Sequence, residues 1–259
     1  MVLKDTLKDI LRPYYRSYLS YKNKGDSVEC NICGRSFKGL RPILGIHANG
    51  EKFVVENHLG SCWYCNSYPR MRQLWYWLEN EFKINIRKEV KLLHVAPELS
   101  ISTLLKNYKD LDYTCIDKHC NGYRYPNYVK NGDVCDLSFP NNHFDLIICN
   151  HVLEHVLDDI KAMQEIRRVL KVGGIAILMV PIDVDMEKTD EEKPEENLTP
   201  TQREERFGQY DHVRMYGRDY FSRLESVGFS VNRIAFDSEI TSKYGFTPGE
   251  EIIVCRKNR

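Results

Sequence analysis

The feature that most constrains the fold of this chain is a strand, helix and strand pattern in residues 143–182. The apolar run Phe144–Cys149 predicts a buried strand, and Ile175–Val180 predicts a second one. Between them, apolar residues recur with helical spacing at Ile160, Met163, Ile166, Val169 and Leu170. Such a unit crosses over right-handedly into two parallel strands, and ligands of such sheets bind beyond the carboxyl ends of the strands.

The ends of the predicted helix carry the expected signals. Asp158-Asp159 suits the start of the helix, because a side-chain acceptor and negative charge stabilise a helix amino terminus. Arg167 and Arg168 provide positive charge near its end, and Gly173-Gly174 is expected to stop it.

The chain from residue 91 onward repeats this alternation. Further strands are predicted at Lys91–Ala96, Tyr113–Asp117, Tyr128–Lys130, Phe229–Phe236 and Glu251–Arg256. Further helices are predicted at Glu98–Asn107 and Arg218–Val227. Seven strands with helices between them predict an α/β fold built on a Rossmann-like sheet.

Two C-x-x-C pairs near the amino terminus predict a metal site. The pairs consist of Cys30, Cys33, Cys62 and Cys65. Each pair places two sulfurs on one tight turn, and two such pairs complete the tetrahedron that Zn²⁺ takes in structural sites. Four thiolates leave no open coordination position, so the predicted role is structural. Four core thiols without metal are the alternative, and His47 or His58 could replace one cysteine as a ligand.

The segments around these cysteines complete a small amino-terminal module. Residues 2–22 have helical apolar spacing, which favours packing on the same chain over a partner or a membrane surface. Ile43–Ile46 and Phe53–Val55 flank the turn dipeptide Asn49-Gly50, and this pattern predicts the hairpin of a zinc ribbon. Arg70–Phe82 predicts a helix whose two tryptophans attach the ribbon to the next domain. We expect the boundary near residue 88.

Composition limits the classes of protein. The 259 residues are 42% hydrophobic and 29% charged, and 37 basic residues balance 37 acidic ones. A formal net charge of zero provides no overall field for nucleic acid or an anionic membrane. No apolar run reaches the ~20 residues of a membrane span, and residues 1–15 lack the apolar region of a signal peptide. We expect a cytoplasmic protein whose cysteines are reduced.

Several phrases together resemble a known family. FDLIICNHVLEHV, residues 144–156, and the later EIRRVLK and ILMVP resemble the core of class I S-adenosylmethionine (SAM) methyltransferases of the type-11 group. FGQYDHVRMYG, residues 207–217, is similar to a subgroup with an amino-terminal zinc ribbon. The resemblance covers residues 28–256. It implies a seven-stranded methyltransferase sheet in residues 89–259, with its last strand antiparallel, after an amino-terminal helix, zinc-ribbon module and connecting helix in residues 1–88.

The resemblance also indicates where SAM would bind. A ribose diol is best held by a carboxylate at the tip of the strand beside the first strand, and Asp117 stands there next to Lys118. A turn-forming role is the alternative for Asp117. In the family, a segment like Gly132-Asp133-Val134 contacts the adenine. Asp133 and Val134 are therefore predicted to bind it, with Asp136 as the competitor of Asp133.

The loop after the first strand departs from the family because HVAPELS, residues 94–100, contains no glycine. A dinucleotide would need a glycine there for its pyrophosphate, but SAM has no phosphate. Glu98 is the candidate for the SAM ammonium group, and Pro97 suits the first turn of the following helix. The predicted cofactor-binding residues here are His94, Ala96, Pro97 and Glu98, with Asn150 at the tip of the fourth strand.

Two histidines are the candidates for catalysis. His151 follows the fourth strand, and His212 follows an acidic segment, 183–206, that lacks an apolar period. This fold places substrate lids at that position, so residues 183–210 are predicted to be a lid insertion, with a solvated loop as the alternative. A histidine with an ordinary pKa of ~6.5 can take a proton from the acceptor at neutral pH. The alternative is that His212 and Arg214 only fix the segment to the sheet.

The phrase HVLEH, residues 151–155, also matches the H-x-x-E-H signature of a zinc protease type. That site needs both histidines on one helix, whereas His151 directly follows a strand, so a protease is disfavoured. Some related O-methyltransferases bind a divalent ion with residues placed like His151, Glu154 and His155. A second metal site therefore stays open as a hypothesis.

Three functional hypotheses follow. The first is a SAM-dependent methyltransferase that methylates an oxygen or nitrogen of a small molecule, sugar or modified peptide. The second is an RNA methyltransferase, because the amino-terminal module carries basic residues near aromatic ones. These basic residues are Arg35, Lys38, Arg41, Arg70 and Arg72. The third is a non-catalytic adaptor that binds a partner protein.

Overall fold

The amino-terminal third of the chain contains a long helix and two small hairpins. The computed structural model describes residues 2–54 and 60–259, with side chains from residue 11 onward. The elements are α1 (Val2–Lys22), β1 (Lys24–Cys30), β2 (Arg35–Phe37), β3 (Leu44–Ile46), β4 (Lys52–Val54) and α2 (Pro69–Asn80). β1 pairs with β2, and β3 with β4, both antiparallel. The predicted ribbon hairpin is therefore present, while Val55 and His58 lie outside the described residues.

The larger part of the chain is an alternating α/β domain. Its first elements are β5 (Val90–Val95), α3 (Leu99–Leu105), β6 (Leu111–Asp117), β7 (Val129–Asn131), β8 (Phe144–Cys149), a 3-10 turn (Leu153–His155), α4 (Asp159–Val169) and β9 (Leu170–Ile177). They are followed by β10 (Asp190–Glu191), α5 (Pro200–Phe207), β11 (Arg214–Met215), α6 (Tyr220–Ser226), β12 (Phe229–Ile234), α7 (Ser238–Tyr244) and β13 (Ile252–Lys257).

Seven of these strands form one sheet in the order β12-β13-β9-β8-β5-β6-β7. The pairs β9-β8, β8-β5, β5-β6 and β6-β7 are parallel, whereas β13 is antiparallel to both of its neighbours. The antiparallel last strand agrees with the expectation from the family. The strand order reverses on either side of β5 and β8, so a crevice opens beyond their carboxyl ends.

The helix between β8 and β9 ends earlier than the sequence predicts. α4 begins after Asp158, whose side chain accepts from Lys161 N–H, and it ends at Val169. Leu170 is already extended and pairs with Phe144, so Gly173 and Gly174 lie within β9 instead of stopping the helix.

Apolar side chains cover both faces of the sheet. Leu92 and Leu93 are adjacent in β5 and point to opposite faces, as strand geometry requires. The face that includes Leu92 packs against α2, α3 and the hairpin β1-β2 in one continuous core. The face that includes Leu93 packs against α4 and α6. The cysteine-rich hairpin therefore shares its core with the sheet. Among the described residues, no helix has the length and apolar character needed to cross a bilayer.

The acidic segment is folded and ion-paired in the structure. α5 begins at Thr199 with a capping box, in which the Thr199 and Gln202 side chains accept each other's backbone N–H groups. Arg206 binds Asp190, and Arg203 binds Glu192, with Nε to Oε2 at 2.8 Å. The alternative of a solvated loop does not hold for Pro200–Phe207, which form α5, and arginines of this helix neutralise the acidic residues before it.

Candidate active site

The predicted cofactor-binding residues gather at the carboxyl ends of four adjacent strands. Ala96 follows β5, Asp117 ends β6, Asp133 follows β7, and Asn150 follows β8. Ala96 has a φ of 49°, the left-handed conformation that glycine adopts readily and alanine seldom does. Its N–H donates to the carbonyl of Ile116, at 2.8 Å. The glycine-free loop therefore makes the sharp turn that a glycine would make.

Glu98 is held in place by a buried histidine. His94 is fully buried inside β5, with Nε2 3.2 Å from Oε2 of Glu98 and Nδ1 2.9 Å from the Tyr113 hydroxyl. Nε2–H therefore donates to the carboxylate, and the tyrosine donates to Nδ1. Burial raises the pKa of Glu98, but the His94 hydrogen bond and the charges of His94 and Arg70 together outweigh it, so this pKa lies below its ordinary value. The buried His94 therefore orients Glu98, and its predicted part in cofactor binding stays a prediction.

The other two carboxylates at this edge differ in their surroundings. Asp117 is half-buried, and burial raises the pKa of its carboxyl group. Hydrogen bonds from a ligand would stabilise the charged carboxylate and offset this effect of burial. Asp133 already accepts from Cys135 N–H and from Nζ of Lys118, both at 2.9 Å, and these two donors lower its pKa. Val134 beside it is buried.

The end of β8 is fixed by the neighbouring strand. Oδ1 of Asn150 accepts from Met179 N–H at 3.1 Å, and His151 N–H donates to the Met179 carbonyl at 2.7 Å. His151 has a φ of 54°, which turns the chain sharply away from the strand. The Asn150 side chain is thus bound within the protein, while His151 faces a cavity.

This cavity has a volume of about 920 Å³ and lies beyond the carboxyl ends of β8 and β9. The polar residues that line it include His151, Glu154, His155, His212, Arg70, Gln209, Arg218, Arg233 and Glu250. The acidic segment covers it through residues on both of its flanks, such as Val184 and Gln209. The two predicted catalytic histidines therefore share one cavity, next to the predicted cofactor edge.

Glu154 is the main site residue that the predicted set lacks. It is 1% exposed, and neither of its carboxylate oxygens has a hydrogen-bond partner among the described residues. Nδ1 of His151 lies 3.4 Å from Oε1, without hydrogen-bond geometry, and Nε2 of His151 is buried without a partner there. Burial raises the pKa of Glu154, but the nearby His151 and His155 together with a backbone group lower it below its ordinary value. The H-x-x-E-H pattern is the sequence signal for this residue.

His212 and His155 lie against each other at the same place. Their rings meet edge to face with centroids 4.8 Å apart. Nδ1 of His212 lies 3.2 Å from the Phe207 carbonyl, so Nδ1–H donates and Nε2 carries the lone pair. Burial lowers the pKa of His212, which favours the neutral imidazole.

Arg214 fixes this part of the site. It is 2% exposed, and its guanidinium donates to the carbonyls of Leu153, Val156 and Leu157. Its Nε lies 3.3 Å from Oε2 of Glu191. The anchoring role considered for Arg214 is confirmed, whereas His212 also faces the cavity.

The four knuckle cysteines converge as predicted. Their sulfurs all lie within 4.8 Å of one another, with Cys30 3.6 Å from Cys65 and Cys33 3.7 Å from Cys62. Zn–S bonds of ~2.3 Å in a tetrahedron place the sulfurs about 3.8 Å apart, so the cluster fits Zn²⁺. Hydrogen bonding among the thiols lowers the pKa of Cys30 and raises that of Cys33.

Four of the five basic residues considered for RNA binding contact other groups of the protein or line the cavity, and Arg72 is the buried one among them. Arg72 is fully buried and donates to the carbonyls of Tyr244, Ser67, Gly60 and Gly245. Arg35 lies over the Tyr64 ring, Arg41 binds Ser61 and Asn66, and Arg70 lines the cavity. Trp75 and Trp77 are both buried and cannot stack on bases, which confirms that they attach the ribbon to the sheet.

Residues 101–178 match the profile of the type-11 family described as a methyltransferase domain. These residues include α3, β6, β7, β8, α4 and β9, which form the centre of the sheet described above. Over these residues the chain is similar to SAM-dependent methyltransferases of the type-11 family. The strand order and the antiparallel β13 agree with the sheet expected of such domains, whose cofactor is SAM.

One curated relative of this chain is the uncharacterised protein MJ0638 of Methanocaldococcus jannaschii. It is 32% identical over a 117-residue alignment that covers 34% of this chain and 52% of the relative. This chain therefore spans about half the length of the relative it matches.

Solved structures with a similar arrangement include methyltransferases. A chain of the complex between the Haloferax volcanii Trm112 methyltransferase activator and a methyltransferase is 13% identical, with 74% of this chain and 94% of that one covered and a TM-score of 0.45. The [4+2]-cyclase SpnF is 17% identical, with coverages of 74% and 84% and a TM-score of 0.49. A SAM-dependent methyltransferase of Methanosarcina mazei is 14% identical, with coverages of 69% and 98% and a TM-score of 0.41.

Proposed function

We propose that this protein transfers the methyl group of SAM to an oxygen or nitrogen of a small polar molecule, a sugar or a modified peptide. The observation that carries the proposal is the 920 Å³ cavity beyond the ends of β8 and β9. It adjoins the cofactor edge at Asn150 and His151. A donor on one side of these residues and an acceptor on the other would meet at the end of β8.

The cofactor edge has groups that match each part of SAM. The half-buried Asp117 would accept both ribose hydroxyls, and Glu98, oriented by His94, would bind the ammonium group. Asp133 and Val134 would border the adenine, although Asp133 also keeps its contact with Lys118. Ala96 and Pro97 would bring the loop backbone close to the methionine part. SAM needs no phosphate-binding loop, so this edge suits it without a glycine.

Methyl transfer does not require the protein to form a covalent bond with either reactant. The reaction is an in-line displacement at the sulfonium carbon, so the cavity must align the acceptor with the methyl group and manage the acceptor's proton. His151 and His212 are the proposed catalytic residues. Nε2 of His212 offers a lone pair, and Nε2 of His151 has no partner among the described residues.

The polarity of the cavity favours a polar acceptor. Drug-sized ligands usually occupy mainly apolar pockets of about 300–1,000 Å³. Here histidines, arginines, carboxylates and an amide line much of a cavity at the upper end of this range. Such groups suit a molecule that carries several hydroxyl, amide or carboxylate groups, as sugars and peptides do.

The cysteine cluster supports a second, structural proposal. Zn²⁺ bound by Cys30, Cys33, Cys62 and Cys65 would join the two knuckles of the ribbon. The spacing of the sulfurs fits the metal, and the buried guanidinium of Arg72 lies close enough to interact with all four thiols. Because four sulfurs fill the coordination sphere, this ion would take no part in methyl transfer.

Calorimetric titration with SAM tests the main proposal. The wild-type chain should bind one SAM, and Asp117→Ala should weaken binding about 10- to 100-fold, since a hydrogen bond to a charged group contributes roughly 1.5–3 kcal/mol. Asp112→Ala is the matched control, because Asp112 lies exposed on the same strand, and it should leave the affinity unchanged. If millimolar SAM gives neither heat nor thermal stabilisation of the wild type, the adaptor hypothesis replaces the enzymatic one.

A further inference from the structure

Three side chains at the floor of the cavity converge on one point. One ligand atom each from Glu154, His155 and His212 lies within 4.8 Å of the others. Glu154 and His155 come from the 3-10 turn after β8, and His212 comes from the far end of the acidic segment. The fold therefore brings a carboxylate and two imidazoles together from distant parts of the sequence.

The two imidazoles have the orientation that metal ligands have. Nδ1 of His155 lies 3.1 Å from the Asp211 carbonyl, and Nδ1 of His212 lies 3.2 Å from the Phe207 carbonyl. A carbonyl only accepts, so in each ring Nδ1–H donates and Nε2 keeps the lone pair. Histidines that bind metals usually donate their other ring N–H in this way, which fixes the tautomer and the direction of the ring.

Glu154 supplies an independent sign of a missing ligand. Its side chain is 99% buried, and neither oxygen has a hydrogen-bond partner among the described residues. Arg214 lies nearby, but its guanidinium donates to backbone carbonyls and to Glu191. His151 lies close to Glu154, with Nδ1 3.4 Å from Oε1, but forms no hydrogen bond to it. A buried carboxylate that accepts no hydrogen bond costs several kcal/mol. A cation bound between Glu154 and the imidazoles would remove this cost.

We propose that Glu154, His155 and His212 bind one divalent transition-metal ion at the floor of the cavity. Two imidazoles and one carboxylate, with the remaining positions open, suit ions such as Mn²⁺, Fe²⁺ or Zn²⁺. Mg²⁺ and Ca²⁺ prefer oxygen ligands and fit this set less well. The site is separate from the cysteine cluster and differs from it in having open coordination positions.

The ion would act on the acceptor, and this role rests on the proposed methyl transfer, whereas the site itself does not. A hydroxyl of the acceptor that enters an open position loses its proton more readily, because the ion stabilises the alkoxide. With Nε2 of His212 on the ion, the proton would pass to His151, which lines the same cavity. The polar acceptor would then be held by one of its own oxygens.

Titration with Mn²⁺ tests the site without SAM or acceptor. The full chain, with its cysteine cluster loaded with zinc, is titrated while the electron paramagnetic resonance signal of free Mn²⁺ is measured. The wild type should bind one Mn²⁺ per chain. Glu154→Gln should raise the Kd at least about 100-fold, since the loss of even a residue that only supports a ligand costs 10- to 100-fold. His212→Gln should weaken binding in the same direction.

Glu204→Gln is the matched control. Glu204 is also paired with a histidine, because its Oε1 lies 2.6 Å from Nδ1 of His47, but this pair lies outside the cavity. The substitution should therefore leave the Kd for Mn²⁺ unchanged. Without Mn²⁺, Glu154→Gln should unfold at or above the wild-type temperature because it removes a buried charge, so poor folding cannot explain lost binding. A wild type that binds neither Mn²⁺ nor Co²⁺, or a Glu154→Gln variant with unchanged affinity, overturns the proposal. Binding of Mn²⁺ without binding of SAM would instead refute the proposed function alone.

Discussion

Arg214 is the residue on which the geometry of the cavity depends most. Its guanidinium holds three backbone carbonyls around the turn that carries Glu154 and His155, and it contacts Glu191. Arg214→Met keeps the length of the side chain but leaves these carbonyls without their donor. Removal of one member of a buried charged network typically costs about 3–5 kcal/mol. Urea unfolding should show a loss of this size.

Arg206→Met is the control for this prediction. Arg206 also makes bidentate contacts with a carboxylate, that of Asp190, but the pair is partly exposed. Exposed ion pairs contribute roughly 0–1 kcal/mol, so this variant should lose far less. If the two variants lost equal free energy of unfolding, burial would not explain how much Arg214 contributes to stability.

Single residues also show what the sequence could and could not predict about the site. His151 and His212 were predicted to face the acceptor, and both line the cavity. The sequence indicates Glu154 only as a possible ligand of a second metal ion, because the pattern does not reveal that both of its oxygens are buried without hydrogen-bond partners among the described residues. The direction of the His94 side chain is equally hidden in the sequence. A polar residue near the end of a strand can face the crevice or the interior, and here Tyr113 and Glu98 draw it inside.

The elements of the sheet were the most predictable, because buried strands and amphipathic helices leave clear apolar periods. Each predicted strand of the sheet is present, and its bounds agree to within two residues except at β9, which begins five residues and ends three residues before the predicted strand. α5 was missed because its segment has no apolar period and is held by charge pairs. A signal was nevertheless present, since Thr199, Pro200 and Gln202 form a capping box with proline at the first helical position. α7 is too short to show a period.

The acidic segment should contribute to stability in a pH-dependent way. Hydrogen bonds from Arg206 lower the pKa of Asp190, so the folded carboxyl is a stronger acid than the unfolded one. Its contribution is therefore present above the unfolded value of ~3.9 and is lost as the pH falls through the lower folded value. At pH 7, Asp190→Asn should be less stable than the wild type by up to ~1 kcal/mol. Below pH 4 this difference should shrink towards zero in urea unfolding.

Asp112→Asn is the comparison for this experiment. Asp112 is exposed on β6. Its substitution should change stability little at either pH. If the difference between Asp190→Asn and the wild type stayed constant down to pH 3, the ion pair with Arg206 would not be its cause.

At the scale of the whole molecule, the ribbon and the sheet share one core, although the sequence predicts a boundary near residue 88. Phe37 of the ribbon, Leu74 of α2 and Leu146 of β8 belong to the same buried cluster. Arg72 ties the knuckle at Ser67 to the end of α7 at Tyr244. A domain boundary predicted from the sequence therefore need not separate two parts that unfold independently. Apolar periodicity predicts single helices and strands, but it does not predict which elements pack against each other.

Loss of the ribbon metal should accordingly destabilise the whole chain. Elemental analysis should find one structural zinc per chain, and Cys30→Ser or Cys65→Ser should lose it because thiolate binding couples the metal to folding. Since the ribbon core continues into the sheet, calorimetry should show one unfolding transition at a lower temperature. Cys120→Ser, at an exposed cysteine away from the cluster, should keep both zinc and melting temperature. A separate early transition with the main one unchanged would mean that residues 1–88 unfold independently. Metal-free protein with four freely titratable thiols would refute the zinc site itself.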